Sequence, residues 1–197
     1  MSPGFFVKPY PSCAATHTAI DAALALVRTH AVNVEEIVRV DVGASPVVPL
    51  MLIHPRPKAP TEGKFSMPFV VAAALRDRKV DLDTFTERKI RDPGLQALME
   101  KVNVFVDEEF EPLDITQSPV KIAVHLKDGR VYRERLDFPS GSPKNPMSLQ
   151  ALVDKFRNCA ESVWDVRQID RVQSLLLELD RVPRVSELFR VLRNPDS

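Results

Sequence analysis

Residues 119–137 read Pro-Val-Lys-Ile-Ala-Val-His-Leu-Lys-Asp-Gly-Arg-Val-Tyr-Arg-Glu-Arg-Leu-Asp, and this stretch decides the fold class. Val120, Ile122, Val124 and Leu126 alternate with other residues, the period of a strand with one buried face. A second run follows through Val131, Tyr132, Glu134 and Leu136. Between them lies Lys127-Asp128-Gly129-Arg130, and Asp-Gly is a strong short-range hairpin signal. Residues 119–137 therefore read as an antiparallel hairpin. Its expected sheet neighbours are 103–110, where Val104 and Val106 continue an alternation begun at Val102, and 36–43, where Ile37, Val38, Val40 and Val42 surround Arg39 and Asp41.

On either side of this sheet the period becomes helical. Ala15, Ala19, Ala22, Ala23, Leu26 and Val27 form a stripe of small and apolar residues from Ala14 to about His30, with Ser12 placed to cap it. Residues 65–78 read as a helix that tolerates Pro68 only in its first turn. Asp92-Pro93 opens another, and three more follow from Ser148 to the end of the chain, with Pro183 separating the last two. Helices on both sides of a hairpin-connected sheet give an α+β class: a small antiparallel sheet with packed helices, followed by a C-terminal helical tail. The expected divisions are a junction segment 1–14, an α+β unit 15–145 and terminal helices 146–197.

Composition narrows the function. The 197 residues carry 27 Lys plus Arg and 27 Asp plus Glu, a formal net charge of zero. Phosphate binding normally needs a basic excess, so nucleic acid is not an expected partner. No apolar run approaches the roughly 20 residues of a membrane span, and the first residues lack the ordered regions of a signal peptide. Cys13 and Cys159 are isolated, and His17, His30, His54 and His125 are scattered. Neither a disulfide framework nor a metal site is expected, and a cytoplasmic location is the default. The chain holds 17 Pro and 6 Gly, and the prolines are dispersed rather than repeated.

Three loops could carry chemistry. Lys8-Pro9-Tyr10-Pro11-Ser12-Cys13, with His17 beyond it, surrounds a helix start with a cation, a phenol, a thiol and an imidazole. Backbone N–H groups at such a start favour an anion. Thr61-Glu62-Gly63-Lys64-Phe65-Ser66-Met67-Pro68-Phe69 sets Lys64 and Ser66 before a second apolar helix. Ser140-Gly141-Ser142-Pro143-Lys144-Asn145-Pro146 is the third. Each also has an ordinary structural explanation, as helix caps or a turn; there is no Walker loop, and the sequence singles out no Ser–His–Asp order.

Taken in order, KPYPSCAATHTAIDAAL, PxxPTEGKFSMPFVVAAAL and GSPKNPMSLQALVDKF resemble the MmgE/PrpD family over nearly the whole chain. That family includes 2-methylcitrate dehydratases, cis-aconitate decarboxylases and an iminodisuccinate epimerase. The resemblance is to a lid-like α+β portion and its returning helical tail; family members also carry a large helical domain that comes first. It implies cofactor-free proton transfer next to carboxylates and marks Lys8 as the catalytic residue. Cys13, His17, Lys64, Ser66 and Phe69 are the implied substrate-binding residues. Cys13 stands where decarboxylating members can have His, and Phe69 where a site Tyr is common. The expectation is thus a 2-methylcitrate dehydratase-like hydro-lyase needing no cofactor. It would act on a small di- or tricarboxylic acid and be inactive without an N-terminal helical half. The alternative is a non-catalytic protein-interaction or self-associating module. In that case the small-residue stripe from Ala15 to Val27 and the apolar face around Leu175–Leu179 would meet a partner or a second copy of the chain.

Overall fold

The computed structural model describes residues 4–110 and 118–193. They fall into two compact units, one ending at Pro146 and one starting at Met147. In chain order the first unit holds α1 (His17–Thr29), β1 (Ile37–Ala44), α2 (Val48–Met51), α3 (Pro60–Gly63), α4 (Met67–Asp77), α5 (Glu87–Ile90), α6 (Pro93–Met99), β2 (Val102–Val106), β3 (Val120–Leu126) and β4 (Val131–Leu136). The second holds α7 (Leu149–Ala160), α8 (Val166–Leu177) and α9 (Val185–Leu192).

The α+β class holds, and the strands run in the order β2-β1-β3-β4. β3 and β4 pair antiparallel, with Val124 opposite Tyr132 and His125 opposite Val131. Gly129 takes φ +85° in the connecting turn, a conformation other residues resist. β1 lies antiparallel to β3, with Val42 opposite Ile122. β2 departs from the expected antiparallel sheet: it runs parallel to β1, with Val42 opposite Val104. The physical reason is the connection. Helices α2 to α6 lie between β1 and β2, and a chain that crosses over through helices re-enters the sheet parallel.

Alternation along β3 places Val120, Ile122, Val124 and Leu126 in the core. Each such buried aliphatic side chain contributes roughly 1.5–3 kcal/mol. Two helices cover that face, α1 over β3 and β4, and α4 over β2, and these helices also pack on each other. Their contact is rich in small residues: Ala19, Ala22 and Ala23 on α1, and Ala72, Ala73 and Ala74 on α4, are all fully buried. Side chains this short let the two backbones approach closely. Helix α1 is preceded by a 3-10 turn at Ala14–Thr16 whose N-cap is Cys13, without a side-chain bond. Ser12, the expected cap, is instead buried, its hydroxyl 2.8 Å from that of Thr16.

The strand expected over 103–110 ends instead at Val106, because the chain turns at Asp107, whose carboxylate accepts from the Glu109 N–H at 3.1 Å. In the second unit, Ser148 and Asp165 cap α7 and α8 by accepting from Ala151 and Gln168 N–H groups. Ile169, Val172, Leu188 and Val191 are buried between α8 and α9, whereas Leu149, Val185 and Phe189 stay exposed. No helix among the described residues is long and apolar enough to cross a membrane.

Candidate active-site loops

All three motif loops meet in the first unit through backbone hydrogen bonds. The Cys13 N–H donates to the Lys64 carbonyl at 2.9 Å, which joins the KPYPSC strap to the EGKFS loop. The Val7 N–H donates to the Gly141 carbonyl at 2.9 Å, which joins the same strap to the Ser140–Pro146 turn. That turn closes on itself, the Gly141 N–H donating to the Asn145 carbonyl at 2.8 Å. Gly141 sits at φ +84°, and a Cβ built on it would overlap the Val7 carbonyl oxygen. Glycine is required there twice over, for its backbone angle and for the close approach.

Asp21, on the second turn of α1, ties the strap and the turn together from below. The Tyr10 hydroxyl donates to Asp21 Oδ1 at 2.6 Å, and the Ser140 N–H donates to Asp21 Oδ2 at 2.7 Å. Burial pushes the Asp21 carboxyl above the usual carboxylate range, against the opposing pull of these two hydrogen bonds, of the Ser140 hydroxyl and of the Arg28 charge. Burial also raises the Tyr10 phenol, and the neighbouring Asp21 charge raises it further. The phenol therefore stays protonated and remains a donor at any physiological pH.

The expected site residues separate into two groups. Lys8 is exposed at the middle of the strap, between the anchored Val7 and the anchored Tyr10. Lys64 is half-buried, its ammonium 6.0 Å from the Phe85 ring centre. Neither lysine forms an ion pair with any described residue, although Lys79, Lys89 and Lys121 all do. Cys13 is half-buried as a free thiol beside the bonded Lys64 carbonyl.

The other three lie inside the unit. His17 is fully buried; its Nε2–H donates to the Ser12 carbonyl at 3.3 Å and its ring meets Tyr10 edge-on at 5.4 Å. Ser66 is fully buried and caps α4, accepting from the Phe69 N–H at 3.3 Å. Phe69 is 1% exposed and packs against Phe85, with ring centres 6.0 Å apart. Their visible work is to hold the strap and the helix start. Asp21 was not among the residues expected from sequence. Its signal there is faint: one carboxylate in a helix whose neighbours Ala19, Ile20, Ala22 and Ala23 are all apolar. Among the described residues, no group of three or more His, Cys, Asp and Glu is placed to hold a metal ion.

The arrangement thus offers two cations without carboxylate partners, on two loops that one backbone hydrogen bond joins at Cys13 and Lys64. Such cations can take a carboxylate through charge-assisted hydrogen bonds, which are stronger than neutral ones. Comparison with known proteins leads to the same family as the motifs. The chain is 29% identical over 142 residues to a cis-aconitate decarboxylase of Aspergillus terreus, covering 71% of this chain and 29% of that protein. It is 27% identical over 196 residues to the cis-aconitate decarboxylase of Mus musculus, and 27% identical over 195 residues to that of Homo sapiens. These two matches cover 95% of this chain, but only 39% and 40% of the relatives. The chain therefore spans well under half the length of the proteins it matches. The model of the MmgE/PrpD C-terminal domain matches residues 10–180, and the chain belongs to the MmgE/PrpD family through that domain.

Proposed function

We propose that this chain is the lid-type portion of a cofactor-independent lyase acting on a small tricarboxylic acid of the cis-aconitate and 2-methylcitrate class. The observation that supports this reading most is the joint between Cys13 and Lys64, which brings the two lysine-bearing loops together. In this reading the Lys8 ammonium clamps a carboxylate and stabilises charge that develops beside it, and Lys64 holds a more distant carboxylate. Stabilisation of this type is usually the largest single contribution to such catalysis. Cys13 borders the clamp, and His17, Ser66 and Phe69 act behind it by fixing the loops. A general base and a proton donor for the leaving group are also needed. They come from an N-terminal helical half, which also excludes water from the reacting carboxylates.

Cis-aconitate is the first substrate to try. The relatives named above are decarboxylases of that acid. The missing hydroxyl at Phe69 does not separate decarboxylation from dehydration here, because the ring is enclosed in the core. The test is to assay the purified chain with cis-aconitate and with 2-methylcitrate, alone and mixed with a candidate helical half. Turnover of one acid by the mixture alone is the expected result. Robust turnover by the chain alone would sink the need for a second half. Absence of turnover and of carboxylate binding in every arm would sink the lyase reading.

The exposed apolar residues of the second unit, Leu149, Val185 and Phe189, favour a second reading in which this tail binds another protein or a second copy. Size-exclusion of the purified chain decides it: a strict monomer counts against such an interface.

A further inference from the structure

Lys8 sits within a closed hydrogen-bonded circuit. From Asp21 the circuit passes through the Tyr10 hydroxyl at 2.6 Å, along Pro9 and Lys8 to the Val7 N–H, and across to the Gly141 carbonyl at 2.9 Å. It returns through the Ser140 N–H to the other oxygen of Asp21 at 2.7 Å. The strap is thus fastened on each side of the Lys8-Pro9 pair, and both fastenings depend on one carboxylate. Pro9 also fixes its own φ, so little freedom remains between the anchors.

We propose that Asp21 is the positioning residue that fixes the placement of Lys8, by bracketing the strap and the Ser140–Pro146 turn with its two carboxylate oxygens. This rests on the reading of Lys8 as the carboxylate clamp. Among the described residues no Lys, Arg or His forms an ion pair with Asp21; its contacts are hydrogen bonds from the Tyr10 phenol and from Ser140, with Arg28 acting only from further away. The role is one of hydrogen-bond geometry rather than charge. An asparagine can reproduce it, with its carbonyl accepting from the Ser140 N–H and its amide donating to the Tyr10 oxygen. A leucine of similar size cannot.

The experiment uses amide hydrogen exchange on the 197-residue chain, with thermal unfolding recorded for each variant. Asp21→Leu should speed exchange at both Val7 and Ser140, on the order of five- to tenfold, as expected for loss of a hydrogen bond each site depends on. Tyr10→Phe should speed exchange at Val7 and leave Ser140 protected. Asp21→Asn should restore both sites. In the assembly that turns over cis-aconitate, Asp21→Leu should lower kcat by roughly a hundredfold, the scale of a small misplacement, with a smaller change in KM. Asp21→Asn should recover most of that loss.

Three results overturn the proposal. The first is unchanged exchange at Val7 and Ser140 in Asp21→Leu. The second is exchange that rises uniformly across the unit, or a loss in Asp21→Asn as large as in Asp21→Leu, either of which marks general destabilisation. The third is full turnover by Lys8→Met. That result removes the role of Lys8 and with it the purpose of the bracket, and the exchange pattern tells this failure apart from failure of the bracket itself.

Discussion

The Cys13 N–H donates to the carbonyl oxygen of Lys64 at 2.9 Å, and this one bond joins two loops that are far apart in the chain. The bond uses only backbone atoms of both residues. It follows that the thiol can be removed without opening the joint, whereas the N–H cannot.

Cys13→Ala should therefore cost no more than about 1 kcal/mol, the scale of trimming one half-buried group that packs at the edge of the core. Cys13→Pro is the informative variant. The Cys13 φ of −59° already suits proline, so the substitution mainly removes the donor and crowds the Lys64 oxygen. It should cost about 1–3 kcal/mol and speed proteolysis near Lys64. Urea unfolding and limited proteolysis check both. Equal behaviour of the two variants would mean that the joint is not formed in solution.

Ser66 and Phe69 supply a second comparison. Ser66→Ala removes the cap of α4 and should cost about 0.5–2 kcal/mol. Phe69→Tyr places a hydroxyl in a region that is 1% exposed and should cost about 1–3 kcal/mol, unless the new group finds a partner. A neutral Phe69→Tyr would indicate that the ring borders a wet site.

Two glycines with almost the same backbone angle should respond differently to alanine. Gly129 has φ +85° with nothing near its missing Cβ, and Gly141 has φ +84° with the Val7 carbonyl in the way. Gly129→Ala should cost about 1 kcal/mol, the price of the left-handed angle alone. Gly141→Ala should cost clearly more and should also release the strap, visible as faster exchange at Val7. Equal losses at the two sites would contradict the close approach.

The raised Asp21 carboxyl makes a signed prediction. Burial lifts its folded-state pKa above the unfolded value of about 3.9, so the folded state holds this proton to higher pH than the unfolded state does. Its contribution to stability is therefore largest below about pH 4 and is lost as pH rises through the folded pKa. The groups that face it are the Tyr10 phenol, the Ser140 N–H and hydroxyl and, more distantly, Arg28. Asp21→Asn does not titrate. The stability of the wild type relative to Asp21→Asn should therefore fall as pH rises from 4, measured by urea unfolding at several pH values. A difference that grows in favour of the wild type would mean that the carboxylate is stabilised, not penalised, by its surroundings.

Much of the fold is legible along the chain because its signals are local. The alternation of β3 and β4 around Asp128-Gly129, the Asp92-Pro93 start of α6 and the Val185–Leu192 span of α9 all follow from residues within one element. The parallel direction of β2 is not legible that way, since the alternation Val102, Val104, Val106 shows a buried face without naming its neighbour. Ser12 misleads for a related reason: it has the chemistry of a cap but spends its hydroxyl on Thr16. At the site, the residue types of the strap around Lys8 and the loop around Lys64 are visible in the chain. Their meeting is tertiary, made by bonds between distant backbone groups. Asp21 is hidden most deeply, because its importance comes from two partners, Tyr10 and Ser140, that approach it only after folding.

Release of carbon dioxide from cis-aconitate, measured for the chain combined with its helical half, with wild-type Lys8 and with Lys8→Met, tests the central claim most directly. The account predicts turnover by the wild-type assembly and a fall of at least roughly a hundredfold in kcat/KM for Lys8→Met, the scale of losing one preorganised charge-stabilising group. Turnover by Lys8→Met at the wild-type rate would contradict it.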